Sequence, residues 1–465
     1  MPHAVITPQD ARLMAKIIDR PDFERWAARA RTTGGCSQPV FLTGTVEHVH
    51  TGTGELLHTY STDSEPDGAL PVACKTRRAS RCAACAELYR ADTYQLIRAG
   101  LAGGKGVPET VAAHPAAFVT LTAPSFGAVH ARRVRNAGRV ERCHPRRNAA
   151  PCPHGVVASC GARHNDDDSR LGEPLCPDCY DYAGSVLFNA MAPELWRRFT
   201  LALRRYLAKA AGLTHNEFRE NLAVSFAKVA EYQRRGVVHF HAVIRFDGPD
   251  GPATSPPGWA TLGLLDDAVR HAADAVSVTT PGTPAMPARS LAWGSQVDVR
   301  AITSSGALTQ QAVAGYIAKY ATKAAECVGT LDRRLDHADD LAKLPVTPHA
   351  RRLISECLTL GALDEFADLR LVQWAHMLGF RGHFSTKSRQ YSTTLGALRQ
   401  ARIDFVREQF PGWQPPHGQD PDLISAIGEW RFHSQGLTRG EALVTAALTG
   451  RPLPPPPAPT NGSSA

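Results

Sequence analysis

The chain contains 465 residues, of which 43% are hydrophobic and 21% are charged, a composition that is typical of a globular protein with two or three domains and excludes a wholly disordered chain. Its formal net charge of +8 favours a polyanionic partner such as nucleic acid, although many basic proteins of this size bind none. No apolar run reaches the roughly 18 to 20 residues that cross a bilayer, and residues 1–10 lack a secretory signal, so we expect a cytoplasmic protein without a membrane partner.

The predicted N-terminal region covers residues 1–115. Apolar positions at helical spacing predict a helix over residues 7–30 that is interrupted at Pro21. β-Forming residues punctuated by glycine predict short strands over residues 34–54, and a second helix is predicted over residues 83–99.

Cysteines are concentrated in the first part of the chain, where nine of the eleven precede residue 180. Disulfides do not persist in a reducing compartment, so their spacing points to metal ligation. The N-terminal region supplies four thiolates of the kind that close a structural zinc site: Cys36, Cys74, Cys82 and Cys85. Free buried cysteines are the competing interpretation.

A catalytic domain is predicted over residues 116–330, beginning with a strand over residues 117–122. A long, basic, amphipathic helix is predicted over residues 184–210, and residues 247–290 form a predicted Pro/Gly-rich insertion. A second zinc-binding group lies within residues 143–179. Its predicted ligands are Cys152, Cys160, Cys176 and Cys179, with Cys143, His154 and His164 as further candidates.

Two β-forming runs separated by residues 234–236 predict a hairpin. His239 and His241 alternate with a phenylalanine in the second strand, so both imidazoles lie on one face. In this hairpin Glu231 lies opposite His239, and Gln233 shares that face, so either one offers a third ligand. Such a set leaves open positions on Mg²⁺ or Mn²⁺ for a scissile phosphate. Partly buried polar histidines or a structural zinc site are the alternatives.

The helix predicted over residues 309–326 places Tyr316 with Tyr320, and Lys319 with Lys323, in two i, i+4 pairs. A phenol can attack a metal-polarised phosphodiester, and nearby ammonium groups stabilise the charge that develops on the phosphate. Tyrosines at this spacing are also common in packing. The combination with the upstream histidine pair favours catalysis.

The end of the chain carries less chemical information. A mostly helical region without an assigned role is predicted over residues 331–450, followed by a disordered Pro-rich tail over residues 451–465.

Three segments resemble the motifs of the HUH endonucleases, rolling-circle branch, in their usual order: residues 118–122 (FVTLT), 238–241 (VHFH) and 316–323 (YIAKYATK). The paired tyrosines are similar to those of the single-stranded-DNA phage A proteins. Most of the chain, including residues 78–82 and 175–182, resembles the plasmid replication initiators of actinobacteria. The resemblance implies an α+β fold whose central antiparallel sheet is flanked by helices, with the tyrosine helix beside the histidine strand.

The resemblance also implies an activity, in which the protein nicks one strand of a replication origin and stays linked to the 5′ phosphate through tyrosine. His239, His241 and either Glu231 or Gln233 would then hold Mg²⁺ or Mn²⁺. Tyr320 aligns with the nucleophile. The residue four positions before it, a glutamate in single-tyrosine plasmid initiators, is Tyr316 here, which could serve as a second nucleophile.

The expected partners are origin DNA, single-stranded or folded as a hairpin, and a host helicase and polymerase. Four arginines are candidates for DNA contact: Arg78, Arg81, Arg234 and Arg235. An HUH transposase or conjugative relaxase would use the same chemistry. A non-enzymatic zinc-ribbon DNA-binding regulator is the alternative from another class.

Overall fold

A computed structural model describes residues 6–453 except 136–137, 147, 149, 304–308, 323–327, 332, 336–339 and 410–422. The predicted catalytic Lys323 and most of the predicted tail therefore lie outside the described residues. The chain divides into two compact units, residues 1–92 with 396–465, and residues 93–395. Among the described residues, no helix combines the length and apolarity required to span a bilayer.

The described residues form ten α-helices and eleven strands. The helices are α1 (Pro8–Ile18), α2 (Phe23–Thr32), α3 (Ala83–Ala102), α4 (Tyr182–Ala210), α5 (His215–Asn221), α6 (Leu262–Asp274), α7 (Gln310–Ala321), α8 (Pro348–Gly361), α9 (Leu395–Gln409) and α10 (Arg439–Leu448). The strands are β1 (Val40–His50), β2 (Leu56–Ser61), β3 (Leu70–Val72), β4 (Ala116–Leu121), β5 (Ala223–Tyr232), β6 (Val238–Asp247), β7 (Ser277–Thr279), β8 (Ser290–Ala292), β9 (Val297–Ala301), β10 (Ser385–Lys387) and β11 (Ile424–Gln435). The expected mixture of helices and antiparallel sheets is confirmed.

The first unit is organised around β1, which pairs antiparallel with β11, β2 and β3. Trp26 of α2 packs in a small core with Val444 of α10, and Arg439 donates to Asp10 of α1 at 2.9 Å. The two ends of the chain therefore build one unit. The unit boundaries fall at residues 92 and 396 rather than at the 115 and 330 expected from sequence, and the region expected to be mostly helical contributes the long strand β11.

The second unit contains a five-stranded antiparallel sheet with the order β10-β5-β6-β4-β9. Strands β5 and β6 form the predicted hairpin, in which Glu231 pairs with His239 as expected. Gly236 closes the turn with φ at +77° and donates its N–H to the Gln233 carbonyl at 2.9 Å. A residue with a side chain is strained in this left-handed conformation, so the sequence RRG suits the turn.

The two faces of this sheet have opposite character, because side chains alternate along each strand. Phe240 of β6 is fully buried and contacts the Trp196 ring of α4 with centroids 5.9 Å apart, within a core that also includes α6 residues. The opposite face carries His239 and His241. Helix α7 lies beside β5, and its buried residues include Val313 and Ile317.

Candidate active site and cysteine clusters

Glu231, His239 and His241 converge on the polar face of the sheet. Oε2 of Glu231 lies 3.0 Å from Nε2 of His239 and 3.1 Å from Nε2 of His241. Each residue offers one ligand atom, and these atoms all lie within 4.8 Å of one another. Two imidazole nitrogens and one carboxylate oxygen, presented from a rigid hairpin, are a donor set that fits a divalent cation.

The protonation of this triad follows from its half-buried position. Burial opposes ionisation of Glu231, but hydrogen bonds and charge from the two imidazoles lower the pKa of its carboxyl to about 2. Burial lowers the pKa of His241, an effect that Glu231 partly offsets. At neutral pH the carboxylate is therefore charged and His241 is neutral, which are the forms that bind a metal.

The second nitrogen of His241 is held by β4. Nδ1 of His241 lies 3.0 Å from Oγ1 of Thr120. The Phe118 ring, also on β4, stacks on the imidazole with the two ring centroids 5.6 Å apart. With a cation bound at Nε2, Nδ1 would carry the hydrogen and donate it to Thr120. The sequence identified this strand but not the role of Thr120. Side chains alternate between the two faces of the strand predicted over residues 117–122, and this alternation was the feature of the sequence that could have indicated the face of Thr120.

Both tyrosines of α7 lie next to the triad. Oη of Tyr316 is 3.2 Å from Nε2 of His241, and the ring of Tyr320 lies 4.6 Å from that of Tyr316 and 6.1 Å from that of His241. Nζ of Lys319 lies 5.5 Å from the centroid of the Tyr320 ring. The histidine hairpin and the tyrosine helix, which the sequence indicated separately, thus lie side by side in the fold.

Tyr316 does not ionise readily in this position. Burial raises the pKa of its phenol, and the nearby Tyr320 and Glu231 raise it further. The side chain is nevertheless 37% exposed. The Tyr316 phenol is therefore neutral at physiological pH, and a positive charge beside it is needed to favour phenolate.

A cleft of about 310 Å³ opens beside the triad and is lined by His241, Tyr316, Asp298 and Arg300, among others. Asp298 pairs with Thr120 across the sheet, and Nε of Arg300 donates to its Oδ2 at 2.7 Å. Both β9 residues are exposed, so the cleft presents a guanidinium where a phosphate can reach it. No motif in the sequence singled out these two residues, although their spacing in β9 places them on one face.

Gln233 and Arg235 serve the hairpin turn. Oε1 of Gln233 accepts from Nε and Nη2 of Arg235 at 2.9 and 2.8 Å, and Arg235 also donates to the Pro124 carbonyl at 2.8 Å. Burial lowers the pKa of Arg235. Glu231, rather than Gln233, therefore lies with the histidines, and the guanidinium of Arg235 is engaged within the protein.

The other predicted DNA contacts remain on or near the surface. Arg234 is exposed and donates to the Asp166 carbonyl at 2.6 Å. Arg81 is exposed and Arg78 is half-buried, and both lie close in sequence to cysteines of the first unit.

The first cysteine cluster consists of the four predicted residues Cys36, Cys74, Cys82 and Cys85. Cys82 directly precedes α3 and Cys85 lies in its first turn, while Cys36 precedes β1 and Cys74 follows β3. Sγ of Cys36 and Sγ of Cys82 are 3.8 Å apart. Two thiolates on a tetrahedral zinc ion are separated by about 3.8 Å, so the cluster fits zinc.

The second cysteine cluster consists of Cys152, His154, Cys176 and Cys179. Sγ of Cys152 and Sγ of Cys176 are 3.6 Å apart, and Nδ1 of His154 lies 3.3 Å from Sγ of Cys179. Cys160, which the sequence analysis grouped with these cysteines, is not a member.

Cys160 belongs to a third cysteine cluster, His130, Cys143, Cys160 and His164. His144 and Cys160 exchange backbone hydrogen bonds of 2.8 and 2.9 Å, which carries Cys160 away from the second cluster and beside Cys143. The cysteine spacing alone could not reveal this pairing, and His130 was missed because no cysteine lies close to it in sequence.

Comparison with known proteins places the chain in a family. Residues 22–450 match the family model described as "Replication initiator protein, pSAM2". A Streptomyces ambofaciens protein described as "Replication initiator protein" is 47% identical over 455 residues, covering 96% of this chain and 94% of that protein. No solved structure shows a significant match. The chain therefore belongs to the pSAM2-type family of replication initiator proteins.

Proposed function

We propose that the protein starts rolling-circle replication of a plasmid by nicking one strand of the origin with a tyrosine, which then remains linked to the 5′ phosphate. The observation that carries this proposal is the 3.2 Å separation between Oη of Tyr316 and Nε2 of His241, the innermost member of the triad. Family membership supplies the initiator role, and origin DNA is the partner that such a role requires.

Glu231, His239 and His241 would hold the divalent cation. A cation bound there polarises the scissile phosphodiester and offsets the charge of the transition state. Two of the three ligands are imidazoles, which suit Mn²⁺ better than the oxygen-preferring Mg²⁺. We therefore expect Mn²⁺ to support nicking at lower concentration than Mg²⁺.

The residues of α7 would carry out the strand exchange. The attacking phenol loses its proton to solvent, and its oxygen bonds to phosphorus. The bond from phosphorus to the 3′ oxygen breaks, and that oxygen takes up a proton from solvent to become a 3′ hydroxyl. The reaction conserves the bond energy, so a 3′ hydroxyl can later displace the tyrosine and rejoin the strand. Lys319, and Arg300 at the edge of the cleft, stabilise the charge on the phosphate.

Two phenols at one triad suit a reaction with two successive cuts. Tyr320 aligns with the nucleophile of the related motif, and we expect it to make the first cut. Tyr316 is close enough to make the second, so replication could end without a water-activating carboxylate. The free 3′ hydroxyl would prime a host polymerase, with a host helicase opening the duplex.

The test is mass spectrometry of the adduct formed with an origin oligonucleotide that carries a nick-trapping linkage, in the presence of Mn²⁺. We expect the wild-type adduct on Tyr320, a shift of the adduct to Tyr316 in Tyr320→Phe, and no adduct in the double variant with Tyr316→Phe. Tyr206→Phe is the matched control, because Tyr206 lies on α4 and packs on His271. An adduct in the double variant, or none in wild type, would contradict the proposal.

A supercoiled plasmid carrying the origin separates nicking from DNA binding alone. The proposed nickase converts it to a relaxed circle with protein on one 5′ end, only when Mn²⁺ or Mg²⁺ is present. A zinc-ribbon regulator would shift the plasmid on a gel without relaxing it.

The first and second cysteine clusters would hold structural zinc. Their sulfur separations of 3.8 and 3.6 Å match the tetrahedral value of about 3.8 Å. In both clusters loops and short turns supply most of the ligands, so zinc would supply stability that a small local core does not.

A further inference from the structure

We propose that the third cysteine cluster, His130, Cys143, Cys160 and His164, binds a zinc ion of its own, and that this ion supports the tip of the hairpin that carries the catalytic triad. The site shares no residue with the second cluster or with the triad. The chain would then hold three structural zinc ions rather than the two suggested by its cysteine spacing.

The separations within the third cluster are those of a tetrahedral site. Zinc bonds of about 2.3 Å to sulfur and 2.05 Å to nitrogen place two nitrogens about 3.4 Å apart and a nitrogen and a sulfur about 3.6 Å apart. Nδ1 of His130 and Nε2 of His164 are 3.3 Å apart. Nε2 of His164 lies 3.6 Å from Sγ of Cys160, and Nδ1 of His130 lies 4.0 Å from Sγ of Cys143.

A carboxylate orients one of the ligands. Nδ1 of His164 lies 2.6 Å from Oδ2 of Asp168, so Nδ1 carries the hydrogen and Nε2 is left free to bind an ion. A carboxylate behind a metal-bound imidazole is the usual arrangement in zinc sites, where it fixes the tautomer and raises the basicity of the ligand. His164 is only 1% exposed and Cys143 is fully buried, so the site is shielded from water.

The four ligands come from three stretches of chain that are joined by a few backbone hydrogen bonds rather than by a regular sheet. Cys143 donates its N–H to the Ala162 carbonyl at 2.9 Å, and Val129 forms an isolated bridge with Pro174. Between β4 and α4 the described residues contain isolated bridges, turns, bends and short 3-10 segments but no α-helix and no strand. A metal ion that joins the three stretches would account for a buried cluster in a segment with so little regular structure.

The same segment contacts the hairpin tip. Arg234 donates to the Asp166 carbonyl at 2.6 Å, two residues from the ligand His164. Gly172 donates its N–H to the carbonyl of His130 at 2.9 Å. A Cβ on Gly172 would lie 2.3 Å from the Arg234 carbonyl oxygen, so the two backbones touch and only glycine fits. The segment that carries the third cysteine cluster therefore packs directly against the turn between Glu231 and His239.

Cadmium-113 NMR of the full-length protein, refolded or expressed with ¹¹³Cd²⁺, tests the site directly. The chemical shift falls as the number of thiolate ligands decreases, so a four-thiolate, a three-thiolate and a two-thiolate site give separate signals. We expect all three, with a triad-bound ion adding at most a signal outside the thiolate range. A spectrum that lacks the two-thiolate signal overturns the proposal without any variant.

Two variants extend the test to zinc content. His164→Asn should lose one zinc ion per chain by elemental analysis and the two-thiolate cadmium signal alone, whereas His215→Asn, an exposed histidine outside the described clusters, should lose neither. Asp168→Asn keeps all four ligands, and we expect it to weaken zinc binding at this site about 10- to 100-fold in competition with a chelator. Unchanged zinc retention in Asp168→Asn together with full zinc content in His164→Asn would refute the assignment.

The link to the hairpin has its own readout. Amide hydrogen exchange at residues 233–238 should accelerate at least tenfold in Asp168→Asn under chelation, while exchange in α6 stays unchanged. Equal protection of the turn with and without the ion would refute the supporting role. None of these three experiments measures nicking, so failure of this inference is distinguishable from failure of the proposed function.

Discussion

Thr120 determines which nitrogen of His241 is directed at the triad. Its hydroxyl lies 3.0 Å from Nδ1, and a valine in its place would have nearly the same shape but no acceptor. The imidazole could then turn over or adopt the other tautomer, which directs a hydrogen rather than a lone pair at the ion.

We therefore predict that Thr120→Val weakens Mn²⁺ binding about 10-fold or more without unfolding the protein. Electron paramagnetic resonance of free Mn²⁺ during a titration measures the affinity. Thr200→Val on α4, whose hydroxyl bonds only to the Arg197 carbonyl in the described contacts, serves as the control and should bind as wild type. Equal affinity in the two variants would show that Thr120 does not position His241.

A second residue matters for stability rather than for chemistry. Lys228 is only 5% exposed, and its Nζ lies 3.9 Å from the centroid of the Phe240 ring on the apolar face of the sheet. Burial lowers the pKa of its ammonium from 10.5 to about 7. Between these two pH values the unfolded chain binds the proton more tightly than the folded protein, so the free energy of unfolding rises with pH. Below pH 7 the amine is charged in both the folded and the unfolded state, and the full cost of burying that charge opposes folding.

Lys228→Met is accordingly predicted to raise the free energy of unfolding by about 3 kcal/mol near pH 7, with a gain that shrinks as the pH approaches 10. Urea denaturation at pH 7, 8, 9 and 10 measures this dependence. Lys209→Met, which changes an exposed lysine of α4, should have little effect at any of these values. A gain from Lys228→Met that is constant with pH would mean that burial does not lower the pKa of this amine.

Among the elements, α4 and the β5–β6 hairpin are joined by one buried amide. Asn189 donates to the Gly236 and Leu378 carbonyls, both at 2.9 Å, and accepts from the Val238 N–H at 2.9 Å. It satisfies three buried backbone groups, two of which lie at the start of the strand that carries the histidines. The hairpin is thus hydrogen-bonded to Asn189 of α4, and its tip contacts the loop of the third cysteine cluster.

Replacing Asn189 with leucine would keep the volume but leave these three groups without a partner. We expect Asn189→Leu to lower the free energy of unfolding by about 3 kcal/mol or more, because each buried unpaired group costs about 1–3 kcal/mol. Urea denaturation is the measurement. Asn221→Leu, at an exposed position at the end of α5, should change it by less than about 0.5 kcal/mol. Similar losses in both variants would argue against this role of Asn189.

Across the whole molecule, local features were predictable and long-range pairings were not. Periodicity located α4, the hairpin and the tyrosine helix, since each depends on residues that are close in sequence. The contact between α7 and the triad was predicted only through the family resemblance, because spacing does not show which elements meet. The pairing of Cys160 with Cys143, and of β1 with β11, depends on backbone contacts between distant segments that leave no mark on local composition.

The pairing of β1 with β11 has a consequence for how the protein is made. On the ribosome, β1 emerges before the second unit and its longest antiparallel partner emerges only after it. The histidine strand and the tyrosine helix, in contrast, are complete well before that point. A polypeptide cut short by premature termination would therefore carry the residues that we propose for nicking but an unfinished N-terminal sheet, and an open edge of this kind favours aggregation and proteolysis.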